Sequence, residues 1–361
     1  MIETGKDIRV GLIGYGYVGK TFHAPLIRSI PGLKLTVVGS SKSDIVQADI
    51  PGVSVSSNME EVATHPEIDL LVIASPNESH FPLAAMALRS GKHVVVDKPF
   101  TVKLADARTL VELAEEQGKL LSVFHNRRWD SEVLAAKAMV ESGVLGEISH
   151  FETHIDRFRP QVRQRWREQT GPGAGLWFDL GPHLIDQALQ LFGLPQTVSA
   201  SFAIQRKGGQ TDDWAHVQLN YKSLRVVLHA MLLASGGVPR SVLHGTLGSW
   251  VKFGGDVQEK QLVAGMLPGS DGFGVDPDLG IFYEGATAKQ TKIPAPTVNQ
   301  AEYYLGIRDA LWGRQPNPVP PSQASAVMSV LETSFESGAR GQVLPISLTD
   351  KERAAFAPSS Y

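Results

Sequence analysis

The 361-residue sequence predicts an α/β protein with two domains. The first is a Rossmann domain, a doubly wound parallel sheet, and the second is a C-terminal α+β domain with a large, mainly antiparallel open sheet. Up to about residue 125, short β-branched runs alternate with helical patterns, which is typical of βαβ units. From about Gly146, polar and apolar residues alternate, as in strands with one buried face. We therefore predict domains over residues 1–125 and 126–361, in agreement with roughly 150 residues per domain.

In the first domain, five runs lack alternating polar residues, which predicts strands buried on both faces. They are residues 8–13, 35–38, 70–73, 93–96 and 120–124. The clearest helix covers residues 104–117, because its apolar side chains recur along one stripe and Gly118 is placed to end it.

In the second domain, the predicted strands are a segment from about residue 146 and residues 198–204, 214–221 and 224–233, with a hairpin turn at 221–224. In the first strand one set of side chains faces the core and the other is polar. The core set is Ser149, Phe151, Thr153 and Ile155, and the polar set is His150, Glu152, His154 and Asp156. This polar face either stays in water or packs against a second subunit. Helices are predicted at 300–312 and 323–338.

The composition of the chain argues against nucleic acid and membranes as binding partners. Lysine plus arginine total 34 against 37 aspartate plus glutamate, so the net charge is −3 and gives no long-range attraction to nucleic acid or anionic lipid. We expect a small-molecule partner. The sequence has no cysteine, which excludes disulfides and thiolate chemistry. It shows neither a signal-peptide layout nor the ~18 consecutive apolar residues that span a bilayer, so we predict a cytoplasmic protein without a membrane partner.

A glycine turn follows the first predicted strand and opens a helix. Gly14, Gly16 and Gly19 form G-x-G-x-x-G, the fingerprint of dinucleotide binding when it stands in this context. The first glycine makes the turn, the second lets the backbone approach a pyrophosphate, and the third lets helix and strand pack closely. A plain turn is the alternative interpretation.

The end of the second strand indicates which dinucleotide binds. In NAD sites an acidic residue there bonds the ribose hydroxyls, whereas this sequence has Ser40, Ser41 and Lys42. Two hydroxyls and an ammonium group suit a 2′-phosphate, so we predict NADP rather than NAD. The alternative is a solvated basic loop, and Asp44 stands close by.

The same glycine segment also matches the P-loop pattern G-x-x-x-x-G-K-[ST], through Lys20 and Thr21. A P-loop ATPase would need an acidic strand end to hold magnesium. It would also leave the motifs that follow without a role, so this interpretation is the weaker one. Thermal stabilisation by NADPH but not by ATP with magnesium would separate the two.

Three further motifs occur in order: Ser75-Pro76-Asn77-Glu78-Ser79-His80, Asp97-Lys98-Pro99, and Asp179-x-Gly181-x-His183-x-x-Asp186. With the glycine turn, they resemble the glucose-fructose oxidoreductase and inositol dehydrogenase family, Gfo/Idh/MocA. The resemblance covers nearly the whole chain, including segments 125–129 and 163–167, and is greatest to the NADP-dependent scyllo-inositol dehydrogenase branch. One departure is Asp97, where the family more often has Glu.

The resemblance implies a nicotinamide-dependent dehydrogenase acting on the CH–OH group of a cyclic polyol or sugar, with Lys98, Asp179 and His183 catalytic. It further implies a cis peptide between Lys98 and Pro99 and assembly into a homodimer or homotetramer. The implied cofactor contacts, beyond the glycines and Ser40, Ser41 and Lys42, are Ser75, Pro76, Asn77, His80, Asp97, Lys98, Asn126 and Arg127. The implied substrate contacts are Lys98, His154, Arg157, Trp166, Asp179 and His183.

The residue types suit this chemistry. Oxidation of an alcohol needs a base for the hydroxyl proton and a cation beside the oxygen, and His183 and Lys98 supply these. Gly181 and Pro182 are expected to precede a helix, which would place His183 near its N-terminus, where the dipole disfavours imidazolium. The alternatives are a surface lysine at 98, a partly buried structural histidine at 183 and a structural role for Asp186.

Three other interpretations remain at this point. The arginines at 157, 159, 163, 165 and 167 form either an anion site or, more simply, an ion-paired or pocket-lining loop. We predict no metal site, because His80, His125, His150 and His154 are dispersed and no H-E-x-x-H spacing occurs. Rival functions are a non-enzymatic NADP-binding regulator, a redox-assisted glycosidase, and an imine or enone reductase.

Overall fold

The computed structural model describes residues 2–357, 359 and 361, and the chain divides into two compact units. The first unit contains the chain up to Asn126 together with Gln258–Gly274 and Asn299–Ser325, and the second contains the remainder. The predicted α/β fold class is confirmed. The predicted division at 125 and 126 assigns all later residues to the second domain, whereas two later segments belong to the first unit.

The first unit contains a six-stranded parallel sheet in the order β3-β2-β1-β4-β5-β6. Its strands are β1 (Ile8–Ile13), β2 (Leu33–Gly39), β3 (Ser54–Ser56), β4 (Leu70–Ile73), β5 (His93–Val96) and β6 (Leu121–Val123). All strands run parallel, but the direction in which successive strands are added to the sheet reverses between β1 and β4. Ligands bind at the carboxyl ends of the strands at such a switch point. The five predicted strands are confirmed, and the short β3 was not predicted because it carries no apolar run.

Helices connect these strands. They are α1 (Ala24–Arg28), preceded by a π-helical turn at Gly19–His23, then α2 (Ser43–Asp49), α3 (Met59–Thr64), α4 (His80–Arg89) and α5 (Leu104–Glu116). The predicted stop at Gly118 is confirmed, since this residue has a positive φ of 59° just beyond α5.

Hydrogen bonds tie a late segment of the chain to the first sheet. The Ser122 hydroxyl in β6 donates to the Val319 carbonyl at 3.0 Å and accepts from the Tyr303 hydroxyl at 2.9 Å. Asn126 donates to the Gln300 side chain at 3.1 Å. Because these groups are buried and paired with each other, the segment is part of the first core.

The second unit contains a nine-stranded sheet in the order β14-β13-β12-β11-β7-β10-β9-β8-β15. Its strands are β7 (Ile148–Asp156), β8 (Thr197–Ala203), β9 (Trp214–Asn220), β10 (Arg225–Met231), β11 (Ser241–Gly245), β12 (Gly248–Lys252), β13 (Gly280–Glu284), β14 (Gln290–Ile293) and β15 (Leu344–Pro345). The β7–β10 pair is parallel and the other pairs are antiparallel. The sequence predicts β7 to β10 and their hairpin turn, but not β11 to β15.

The remaining helices are α6 (Ser131–Glu141), α7 (Leu176–Phe192), α8 (Gln258–Val263), α9 (Glu302–Leu311), α10 (Pro321–Arg340) and α11 (Asp350–Ala354). α7 covers one face of the second sheet, where the rings of Phe151 and Phe192 lie 5.3 Å apart. Since strand side chains alternate between faces, His150, Glu152, His154 and Asp156 lie on the opposite, polar face. Within the described part of the chain, no helix is long and apolar enough to cross a bilayer.

Candidate active site

The glycine turn has the geometry that a dinucleotide requires. Gly14 has a φ of +97°, and a Cβ there would collide with the Ala74 carbonyl. A Cβ on Gly19 would collide with the Gly14 carbonyl, whereas the space beside Gly16 is open. The first and third glycines are therefore needed by the protein's own backbone. The second leaves room for a phosphate to approach, so the residues present fit the cofactor.

The loop after β2 carries hydroxyl and ammonium groups. Ser40 is buried, its N–H donates to the Ser56 carbonyl at 2.9 Å, and its hydroxyl accepts from the Lys42 N–H at 3.0 Å. Ser41 and Lys42 are exposed. Asp44 lies in the first turn of α2 rather than at the strand end. No carboxylate therefore occupies the position of the ribose-binding acid in NAD sites.

The loops after β4 and β5 are joined by one histidine. His80 is buried, with Nδ1 2.9 Å from the Pro99 carbonyl and Nε2 3.0 Å from the Ser75 carbonyl. Burial lowers the pKa of His80. The contact brings the Ser75, Pro76 and Asn77 loop beside Asp97-Lys98-Pro99, so two of the predicted motifs form one structure in the first unit.

Asp97 and Lys98 are both buried. Burial alone would raise the pKa of Asp97, but the nearby His23 imidazole, whose Nε2 lies 3.8 Å from Asp97 Oδ1, and the charge of Lys98 outweigh this, so the pKa lies below its usual value. His23 in turn lies 2.6 Å from the Tyr304 hydroxyl. The Lys98–Pro99 peptide is cis, as the resemblance implies. A lysine at a buried strand end is not the surface lysine of the alternative interpretation.

Asn126 and Arg127 lie where the chain passes between units. Asn126 is held by Gln300 in the first unit, and Arg127 pairs with Asp130 at 2.8 Å in the second. The neighbouring Arg128 holds Asp186 through two hydrogen bonds of 2.9 and 2.7 Å. Asp186 therefore has the structural role that the sequence analysis gave as its alternative.

The predicted position of His183 at a helix N-terminus is wrong. α7 begins at Leu176, so His183 is its eighth residue and Pro182 lies inside the helix. The helix starts early because Gly175, with a φ of 105°, turns the chain, and the Asp212 carboxylate accepts the Trp177 N–H at 2.7 Å. The argument that the helix dipole keeps His183 neutral therefore does not apply.

The four-residue spacing between Asp179 and His183 does place the two side chains together. Asp179 lies in the first turn of α7. Because residues four apart in a helix share a face, Asp179 and His183 lie on one side of α7. The Asp179 carboxylate is also 3.5 Å from the Arg167 guanidinium. α7 thus presents a carboxylate and an imidazole together.

Arginines surround Asp179. A small recess is lined by Arg165, Arg167, Glu168, Asp179, Arg206 and Asp212, among others. Arg165 and Arg206 both pair with Glu168, at 2.7 and 3.0 Å. The half-buried Arg159 forms no ion pair with any described residue, and burial together with Arg157, Arg163 and Arg165 lowers its pKa to about 10. Arg165 and Arg167 of this loop are ion-paired, whereas Arg159 interacts with the Asp179 carboxylate only at longer range.

The three other predicted substrate residues occupy different places. His154 is on the polar face of the second sheet, opposite the face covered by α7, so the structure does not bring it to Asp179 and His183. Arg157 follows β7, and its N–H donates to the Met231 carbonyl at 2.9 Å. Trp166 is 37% exposed and stacks under Arg167 at 4.5 Å.

Sequence reasoning missed several residues around these groups. Asp212, which starts α7, and Arg206, which pairs with Glu168, carry no motif. His23 and Tyr304 are far apart in sequence, and only tertiary contact joins them. His229 lies in a predicted strand, but sequence alone does not show which residue of the adjacent strand lies opposite it. The structure places His154 there.

The fold and the glycine turn define a protein of the Rossmann dinucleotide-binding class. The family model described as "Oxidoreductase family, NAD-binding Rossmann fold" matches residues 8–125, and the one described as "GFO/IDH/MocA C-terminal domain" matches residues 133–251. The chain therefore belongs to the Gfo/Idh/MocA family, as the motifs predicted, and it is an enzyme of the dehydrogenase class.

Individual proteins agree with this assignment. The chain is 51% identical to "Uncharacterized oxidoreductase YdgJ" of Escherichia coli K12, over 92% of this chain and 96% of that protein. It is 35% identical to "scyllo-inositol 2-dehydrogenase (NADP(+)) IolW" of Bacillus subtilis 168, over 91% and 93%. A solved structure from Klebsiella pneumoniae superposes with a TM-score of 0.92 at 51% identity, covering 97% of this chain and 98% of that one.

Proposed function

We propose that the protein is an NADP-dependent oxidoreductase that transfers a hydride between the nicotinamide and a secondary alcohol of a cyclic polyol or sugar. The observation that carries the proposal is the 35% identity, along nearly the full length of both chains, to a protein named as an NADP-dependent scyllo-inositol dehydrogenase. Ser40, Ser41 and Lys42 at the end of β2 support the choice of NADP.

In this proposal, different residues of the chain bind the cofactor and act on the substrate. Gly16 and the glycine turn would hold the pyrophosphate, and Ser41 and Lys42 the 2′-phosphate. When bound, the cofactor supplies the carbon that accepts or returns the hydride. We assign to His183 the removal of the hydroxyl proton and to Lys98 the stabilisation of the negative charge that develops on oxygen. Asp179, on the same side of α7, orients the imidazole.

A sugar acid is a second candidate substrate class. The Arg159 guanidinium interacts electrostatically with Asp179, forms no ion pair with a described residue, and is surrounded by further arginines. A carboxylate is the natural partner of a half-buried guanidinium. Neutral scyllo-inositol and glucose would leave this guanidinium without a directly paired carboxylate, whereas an acid such as glucuronate would supply one.

The first experiment measures initial rates with NADP+ and NAD+ against scyllo-inositol, myo-inositol, glucose, xylose and glucuronate. Turnover with NADP+ and a neutral polyol supports the leading proposal. Preference for glucuronate, lost in Arg159→Met, supports the sugar acid. No turnover despite tight NADPH binding would contradict both and leave imine or enone reduction, redox-assisted glycoside cleavage or a regulatory role.

Replacing Lys98 with Met tests its assigned role. We expect kcat to fall by at least about a hundredfold, since removing a single charge-stabilising donor costs roughly that much, while NADPH affinity changes little. Lys103→Met is the matched control, because Lys103 is an exposed lysine five residues away. If both variants kept the original kcat, Lys98 would have no catalytic role.

We further propose a cytoplasmic homodimer or homotetramer, acting on a small molecule without a nucleic-acid or membrane partner. Light scattering on the purified chain tests the assembly. A mass equal to one 39.1 kDa chain at micromolar concentration would contradict it.

A further inference from the structure

The polar face of the second sheet brings three metal-ligating side chains together. His154 and Asp156 lie two residues apart in β7, and the parallel register places His229 of β10 directly opposite His154. One ligand atom from each of the three residues lies within 4.8 Å of the others. The rings of His154 and His229 are 5.0 Å apart.

Neighbouring groups fix the orientation of two of these side chains. His154 Nε2 lies 2.7 Å from Glu152 Oε1, which leaves Nδ1 directed at Asp156 Oδ2, 3.0 Å away. The Asp156 carboxylate also accepts the Met231 N–H at 3.0 Å. A histidine bonded to a carboxylate through one nitrogen while the other faces a ligand position is the usual arrangement around protein-bound metals.

His229 completes the cluster. Its side chain is only 10% exposed, and Nε2 lies 3.9 Å from Asp156 Oδ1. Its Nδ1 is buried without a hydrogen-bond partner among the described residues. The rings of His154, His216 and Trp214 surround it. Nδ1 is not the nitrogen that faces Asp156, so its missing partner is not the metal proposed below. Nε2, at 3.9 Å from Asp156 Oδ1, lies beyond hydrogen-bond distance and is the ring nitrogen available to a ligand in the cluster.

We propose that His154, Asp156 and His229 form a binding site for a divalent transition metal of the Zn²⁺ type. Two imidazoles and one carboxylate are a ligand set that zinc accepts, with water in the remaining position. Calcium and magnesium prefer oxygen ligands only. The site lies on the sheet face opposite α7, so it is separate from Asp179 and His183 and does not rest on the proposed dehydrogenase function.

The test titrates the untagged full-length chain, stripped with EDTA and dialysed, with Zn²⁺ by calorimetry and with Co²⁺ by visible spectroscopy. We expect one Zn²⁺ per chain and the d–d bands of a Co²⁺ site of low coordination number. His229→Gln and Asp156→Asn should each weaken Zn²⁺ binding by at least about tenfold, as loss of a ligand does at protein sites.

His244→Gln is the matched control. His244 lies on the same face, 5.7 Å from the His150 ring, and its Nδ1 is 2.7 Å from the Ser249 hydroxyl rather than near Asp156. Circular dichroism and NADPH binding verify that each variant is folded. An original chain that binds no Zn²⁺, or equal weakening in His229→Gln and His244→Gln, would overturn the proposal and leave a hydrogen-bonded network only.

Discussion

At the scale of single residues, the proposed preference for NADP rests on the three side chains after β2. Lys42→Asp places a carboxylate where we expect the 2′-phosphate and should lower kcat/KM for NADP+ relative to NAD+ by about 10- to 100-fold, the range of one charged hydrogen bond. The helix should tolerate the change, since Lys42 stands at the N-cap of α2 and Asp is favoured there.

The measurement is the ratio of kcat/KM for the two cofactors with one substrate. Lys119→Asp, an equal change of charge at a lysine near the other edge of the first sheet, is the control. If the Lys42 and Lys119 variants changed the ratio equally, the loop after β2 would not read the 2′-phosphate.

Some site residues were predictable because their roles are local. The three glycines follow the end of β1, and Lys98 and Pro99 follow the end of β5, so strand and turn patterns suffice to place them. His183 was placed wrongly because a proline was taken as a helix start. Position 182 lies within α7, and the group that starts the helix, Asp212, is distant in sequence.

At the scale of elements, the start of α7 makes stability depend on pH. Burial raises the pKa of Asp212 to about 6, above its value of 3.8 in an unfolded chain. The folded state therefore binds this proton more tightly. The contribution of protonated Asp212 to the free energy of unfolding is fully present below about pH 4 and is lost as the pH rises through 6.

Asp212→Asn should remove this dependence while its amide oxygen still accepts the Trp177 N–H. Between pH 4 and 7.5, the original chain should lose about 2 kcal/mol of unfolding free energy that the variant retains. Urea unfolding at both pH values measures this, with the exposed Asp271→Asn as control. An identical pH dependence in the original chain and the Asp212 variant would show that Asp212 titrates normally.

Strand prediction succeeded where one face is buried. In β7, Phe151, Thr153 and Ile155 are buried as predicted, whereas at the start of the strand Ile148 rather than Ser149 is buried. The pairing with β11 is irregular at Gly245, opposite this end of β7, and local pattern cannot foresee such an irregularity. The edge strand β14 has three exposed residues out of four, so its sequence lacks the alternation that a buried face imposes.

At the scale of the whole molecule, the order of segments along the chain does not match their grouping in space. The helices at 302–311 and 321–340 were predicted closely from their periodicity. The membership of the first helix and of the start of the second in the first unit was not predicted, because it depends on contacts such as that between Ser122 and Val319, which local sequence does not encode. A fragment that ends near residue 125 therefore lacks part of the first core.

Tyr304 shows how much the first core depends on this late segment. Its side chain is fully buried, its ring centroid lies 5.8 Å from that of Phe124, and its hydroxyl is 2.6 Å from His23 Nδ1. Tyr304→Ala should lower the free energy of unfolding by about 3–5 kcal/mol, the usual cost of deleting a buried ring. Tyr304→Phe, which removes only the hydrogen bond, should cost about 1–3 kcal/mol.

Chemical denaturation of the full chain, followed by the tryptophan signal, measures both losses. Tyr283→Ala, in strand β13 of the second unit, is the control because that ring is only partly buried. If the Tyr304 and Tyr283 alanine variants lost equal stability, α9 would contribute little to the first core. Residues 2–126 would then fold without it. If Tyr304→Ala loses more stability than Tyr283→Ala, the Rossmann sheet of this protein requires a helix nearly two hundred residues further along the chain. In that case no fragment ending near residue 125 should unfold cooperatively.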